Sequence, residues 1–240
     1  MFEPTLDLVH TDTECSIVLN SSLPFYSTLK VLLDGSYTNT VFRDDAAQLE
    51  ENSRDLLHRT SQINSTSSYL VRSLQPLVTD PSSVLTNLYY PEIDPATSNY
   101  RAHLRRETDD FTPGFGGLFT LQFDDVHLAS VFFNALNVHK GPSLGASMTL
   151  CQPYVQTVFH KQKEWAGQCG LHESIVRVSV GLEDRRALFA AFRVALAEAD
   201  QAKAARITDG LEEWKDGSES GSGSSRLTDN DSLTDMGFEK

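Results

Sequence analysis

The chain is poor in cysteine, in basic charge and in long apolar runs. Cys15, Cys151 and Cys169 are its 3 cysteines in 240 residues, too few and too scattered for a disulfide framework, and no two form a Cys-x-x-Cys pair. A reducing, cytoplasmic setting is the expectation. With 20 Lys and Arg against 33 Asp and Glu, the formal charge is −13, which excludes nucleic acid as the main partner because neutralising phosphates takes a basic face. No apolar stretch approaches the roughly 18 residues a membrane span needs, so no membrane association is expected. Met1-Phe2-Glu3-Pro4 lacks a basic stretch leading into an apolar one, so no export leader is expected either. His10, His58, His103, His127, His139, His160 and His172 show no His-x-x-x-His or His–Cys spacing of the kind zinc uses. No metal site is expected.

What is present suits a globular protein: 40% apolar and 22% charged residues, with enough length to bury a core. Ala46, Leu49, Leu56, Leu57, Ile63, Leu70, Val71 and Leu74 lie on a helical stripe that stops at Gln75-Pro76, predicting one long helix over 46–74. Val84 to Tyr90 reads as a strand ended by Pro91, and 92–113 as a connecting loop. Leu118 to Phe123 alternates as a strand; Asp124-Asp125 can cap a helix with its stripe on Leu128, Val131, Phe132, Ala135 and Leu136. A second strand spans Ser174 to Gly181, with Val176, Val178 and Val180 on one face and Ile175, Arg177 and Ser179 on the other. Glu183-Asp184 then opens a helix carrying Leu188, Phe192, Ala195, Leu196 and Ala199. Residues 209–240 hold nine acidic and three basic side chains around a Gly/Ser-rich run, too polar to offset the entropy of ordering. The expected organisation is 1–43 as an incomplete first segment, 44–113 as helix, strand and loop, 114–206 as a small α/β sandwich, and 207–240 as a disordered acidic tail.

Three motifs invite chemistry. Gly141-Pro142-Ser143-Leu144-Gly145 fits the Gly-x-Ser-x-Gly of a hydrolase elbow, with Glu164 and His172 following in a permissible order, but the segment after Ser143 reads as extended rather than helical. Gly114-Phe115-Gly116-Gly117 precedes a strand, not a helix, and so lacks the dipole geometry of a phosphate loop; it reads as a flexible lead-in to the sheet. Arg177 on its strand can offer a rigid two-pronged fork to a carboxylate. The pattern alone favours the other reading, an exposed arginine paired with Glu183 or Asp184.

In order and spacing, Gly114-Phe115-Gly116-Gly117-Leu118-Phe119-Thr120, Gly141-Pro142-Ser143-Leu144-Gly145 and Ile175-Val176-Arg177-Val178-Ser179-Val180-Gly181-Leu182-Glu183-Asp184 resemble the C-terminal domain of the transsulfuration enzymes, which use pyridoxal phosphate in cysteine and methionine metabolism. Glu51-Asn52-Ser53-Arg54-Asp55, Gly141-Pro142 and Pro153-Tyr154-Val155 look most like the fungal cystathionine γ-synthase branch. The resemblance covers roughly residues 5–200. It implies the C-terminal α/β sandwich of a fold-type I transferase, preceded by a remnant of the large cofactor domain (1–43) and a long linking helix.

It also implies that Ser143 and Arg177 hold a substrate α-carboxylate. The reaction implied is γ-replacement on an activated homoserine ester by a thiol such as cysteine; a γ-substitution or sulfhydrylation enzyme of secondary metabolism is the alternative within the family. Leu6 to Thr11 and Cys15 to Asn20 resemble the strands flanking the family's Schiff-base lysine, yet Asp12-Thr13-Glu14 between them holds no lysine. The expectation is therefore a truncated or diverged copy with no catalytic residue assigned, which keeps the clamp and lacks the groups that bind pyridoxal phosphate. A non-catalytic paralogue is the other outcome, self-associating or associating with full-length relatives through the apolar surface a cut sheet exposes.

Overall fold

Alternation of apolar side chains along short segments builds one sheet, and amphipathic helices close its apolar face. The computed structural model describes residues 20–38 and 42–219, the side chains of 209–219 excepted. In chain order the elements are α1 (Tyr26–Ser36), α2 (Arg43–Ser53), α3 (Leu56–Leu74), β1 (Leu85–Tyr89), α4 (Thr97–Ala102), β2 (Leu118–Phe123), α5 (Val126–Ala135), β3 (His139–Lys140), β4 (Leu150–Pro153), α6 (Tyr154–Val158), α7 (Lys163–Gln168), β5 (Ile175–Ser179) and α8 (Arg185–Glu219). The strand order is β1-β2-β5-β4-β3. β2 pairs antiparallel with β1 and β5, β5 pairs antiparallel with β4, and β3 and β4 run parallel.

The face toward α5 and α8 carries Phe119, Leu121, Phe123, Val176, Val178 and Val180, all buried. Phe132 of α5 bridges Phe123 (4.8 Å between ring centroids) and Phe192 of α8 (6.0 Å), and Phe192 also meets Phe119 at 6.0 Å. At roughly 25 cal/mol per Å² of apolar area removed from water, these large rings contribute most of what holds sheet to helices. Leu70, Val71 and Leu74 of α3 complete this core. On the opposite face, α6 and α7 pack Val155 and Ala166 on Ile175. The second face of β5 is thus covered at that end.

Asp125 caps α5 as its position predicts, its Oδ1 accepting from the Leu128 amide at 2.9 Å. Asp184 accepts from the amides of Arg186 and Ala187 at the start of α8, 2.9 Å each. The long helix expected over 46–74 is instead two, α2 and α3, broken at Arg54-Asp55. The reason is local: Arg59 donates to the Asn52 carbonyl (2.5 Å) and to Asp55 Oδ1 (2.7 Å), while α2 buries no side chain that would repay continuing straight. The stop at Pro76 holds; Gln75–Thr79 tightens into a 3-10 turn with proline in its first turn. The loop expected over 92–113 contains α4.

β1 joins the sheet from outside the 114–206 segment. α8 runs on to Glu219, past the position where the acidic tail was expected to begin; residues 220–240 lie outside the described residues. Among the described residues no helix is long and apolar enough to cross a membrane.

Candidate carboxylate-binding site

Arg177 stands mid-strand on β5, opposite Thr120 of β2 and Gln152 of β4. Val176 and Val178 on either side turn into the core, so strand alternation sends the guanidinium to the other face. There Nη2 donates to the Pro142 carbonyl at 2.5 Å and to Gln152 Oε1 at 2.8 Å. The Tyr154 ring lies against the guanidinium, with Cζ 4.9 Å from its centroid, a cation–π distance.

Ser143 is half-buried and directly follows the residue whose carbonyl Arg177 engages. Its loop, 141–149, is held from several sides. The Gly145 amide donates to Ser179 Oγ (3.1 Å), and the Leu182 amide to the Ser147 carbonyl (3.0 Å). Glu183 accepts from the Thr149 amide (2.6 Å) and hydroxyl (2.7 Å). Gly145 has φ +81°, a left-handed conformation that suits glycine. At Gly181 a Cβ would sit 2.4 Å from the Met148 carbonyl carbon, so the close approach of loop and strand requires glycine there.

Glu183 and Asp184, the anions that the ion-pair alternative assigned to Arg177, are therefore engaged elsewhere: one fixes Thr149 and the other caps α8. No helix follows Ser143, so the hydrolase elbow does not form. Gly114–Gly117 is no flexible lead-in. Asn64 of α3 accepts from the Gly116 amide (3.0 Å) and donates to the Thr112 carbonyl (3.3 Å), Tyr90 Oη donates to the Gly116 carbonyl (2.9 Å), and a Cβ at Gly114 would overlap Asn64. Sequence reasoning missed Gln152 and Tyr154 as neighbours of Arg177. Gln152 reaches it through the β4–β5 pairing and Tyr154 from α6, so neither contact leaves a local period to read.

The described residues do not fit pyridoxal phosphate. Lys30 pairs with Asp34 on α1, Lys163 with Glu173 and Lys203 with Asp124. Lys140 spends its ammonium on the carbonyls of Phe133 and Leu136, and Lys161 is exposed. Two surface grooves, of about 450 and 410 Å³, are lined respectively by Tyr89, Tyr90 and Tyr100 with their neighbours and by Asn137, His139 and Glu183 with theirs. Neither contains a lysine or Arg177. The expected missing lysine between the strands near residues 6–20 falls almost wholly outside the described residues. Among the described residues no three His, Cys, Asp or Glu side chains gather as a metal site.

No protein-family profile matches the chain. It is 33% identical over 201 residues to the cystathionine γ-synthase-like enzyme iboG1 of Amanita muscaria, covering 79% of this chain and 33% of that protein. It is 35% identical over 198 residues to the alanine racemase ungC of Aspergillus violaceofuscus, covering 76% and 33%. The chain thus spans about a third of the length of these curated relatives. The cystathionine γ-lyase of Lactobacillus plantarum, solved in complex with L-serine, superposes with a TM-score of 0.54 at 20% identity, over 65% of this chain and 39% of that one. That likeness concerns the fold.

Proposed function

Because the chain belongs to the fungal cystathionine γ-synthase-like enzymes, a pyridoxal-phosphate-dependent family, we propose that its α/β domain holds an amino acid by the α-carboxylate, with Arg177 as anchor and Ser143 as second donor. The full reaction we assign to the family architecture is γ-replacement on an activated homoserine ester by a thiol such as cysteine. In this chain alone that reaction is impaired, since the described lysines are engaged or exposed and the segment resembling the lysine loop, Asp12-Thr13-Glu14, has none.

One observation carries the reading: a guanidinium held at a central strand, bonded to the Pro142 carbonyl and backed by the Tyr154 ring. A guanidinium held in this way has a fixed orientation toward a carboxylate, and orienting the ligand is what such an anchor contributes to a reaction. Ser143, one residue beyond that carbonyl, is the second donor in this reading. The relatives' named activities differ, γ-synthase-like in one and alanine racemisation in another, and an amino acid is common to both. The lyase structure held L-serine, which makes L-serine a fair probe here.

The test is a titration of the labelled chain, by nuclear magnetic resonance, with L-serine and with L-serinamide, which lacks the carboxylate. L-serine should move the Arg177 side-chain signals and serinamide should not. Arg177→Met should weaken L-serine binding by about tenfold or more, since a hydrogen bond to a charged group is worth about 1.5–3 kcal/mol. Equal responses to the two probes would reject the carboxylate anchor.

A second reading, an interaction subunit, has its own observation. Leu29 and Leu32 of α1 are exposed, as is Phe25 at its N-cap, by 70%, and α1 buries no residue. An apolar face of this kind on a chain that spans a third of its relatives' length is suited to docking.

A further inference from the structure

We infer that Gln152 is the positioning residue for the Arg177 guanidinium, tying it to α6 and thereby setting the direction in which the guanidinium meets a carboxylate. The inference rests on the reading of Arg177 as the carboxylate anchor. Gln152 lies directly across from Arg177 in the β4–β5 register and is 7% exposed. Both ends of its amide are spoken for: Oε1 accepts from Arg177 Nη2 at 2.8 Å, and Nε2 donates to Thr157 Oγ1 at 2.7 Å.

Hydrogen-bond chemistry leaves one arrangement. A guanidinium only donates, so the amide must turn its oxygen toward Arg177 and its NH2 toward Thr157. Thr157 Oγ1, accepting from that NH2, passes its own proton to the Pro153 carbonyl (3.0 Å) or the Tyr154 carbonyl (3.3 Å). The relay therefore runs from Arg177 through Gln152 and Thr157 into the backbone at the start of α6. The same short helix carries Tyr154, whose ring lies against the guanidinium. One neutral amide thus keeps cation and ring in register.

Neutrality is part of the function. A glutamate in this place would hold the guanidinium as firmly, but it would add an anion that repels and competes with the ligand carboxylate. Gln152 fixes direction without adding that anion.

The experiment compares wild type with Gln152→Leu, Gln152→Glu and Thr157→Val, reading nitrogen relaxation at Arg177 Nε and the dissociation constant for L-serine. Gln152→Leu should leave the guanidinium more mobile and weaken L-serine by about three- to tenfold, the effect of releasing one buried polar tie. Thr157→Val, which keeps the amide and removes its far anchor, should change both in the same direction by less, and it guards against a leucine variant that fails to fold. Gln152→Glu should keep the guanidinium ordered yet weaken L-serine more than the leucine does. Unchanged Arg177 relaxation in both Gln152→Leu and Thr157→Val would overturn the inference, as would wild-type L-serine affinity in both Gln152 variants. A wild type without any L-serine response would instead reject Arg177 as the anchor.

Discussion

Cys151 and Cys169 show what burial does to one side chain. Cys151 is buried in β4, and burial raises its thiol above the ordinary range, with Lys140 at 3.5 Å pulling the other way; Cys169 is exposed. Since the thiolate is the nucleophile, an alkylating agent at about pH 8 should label Cys169 at least about tenfold faster than Cys151 in the folded chain. Peptide mass analysis after timed quenching checks it, and equal rates would mean that β4 opens readily. The site is also legible residue by residue to different degrees. Arg177 stood out because Val176 and Val178 flank it with alternation, so its face followed from the strand alone. Gln152 and Tyr154 did not, because what makes them matter is Arg177 arriving from another strand. Gly181 looked like a strand terminus, and only the Met148 backbone beside it explains why no side chain fits.

At the scale of the element, caps were legible and breaks were not. Asp125 precedes an apolar stripe, and a side-chain acceptor at that position meets an amide that would otherwise lack a partner. Asp125→Ala should cost about 1 kcal/mol of stability near neutral pH, measured by urea unfolding. The effect depends on pH. Burial pulls the Asp125 carboxyl upward, but the Leu128 amide and Arg206 outweigh it and hold the value below the usual carboxylate range. A lowered folded value stabilises above the unfolded value of about 4 and loses that contribution as pH falls through the folded one. The gap between wild type and Asp125→Ala should therefore shrink in acid, and a gap of constant size would refute the charged cap. The break between α2 and α3 left no such mark in the sequence. The apolar period continues across Arg54-Asp55, and it is the bonds from Arg59 to Asn52 and Asp55 that end one helix and orient the next.

For the whole molecule, the decisive property is that a chain spanning about a third of its relatives' length carries a five-stranded sheet over its main core. Incubated with pyridoxal phosphate and desalted, it should retain no visible absorbance, and borohydride should tag no lysine. A single tagged lysine would overturn the proposed impairment and restore a complete enzyme. The sequence by itself determined β1, β2, β5, α5 and the start of α8, both helix caps, the proline stop after α3 and the side of β5 on which Arg177 lies, because each follows from a local period or a neighbouring amide. Only the tertiary structure decided the order β1-β2-β5-β4-β3, the recruitment of β1 from outside the expected domain, and the meeting of Arg177 with Gln152, Pro142 and Tyr154. Those depend on strands far apart in the chain finding a shared burial surface. Periodicity along one segment carries no information about which other segment will lie beside it.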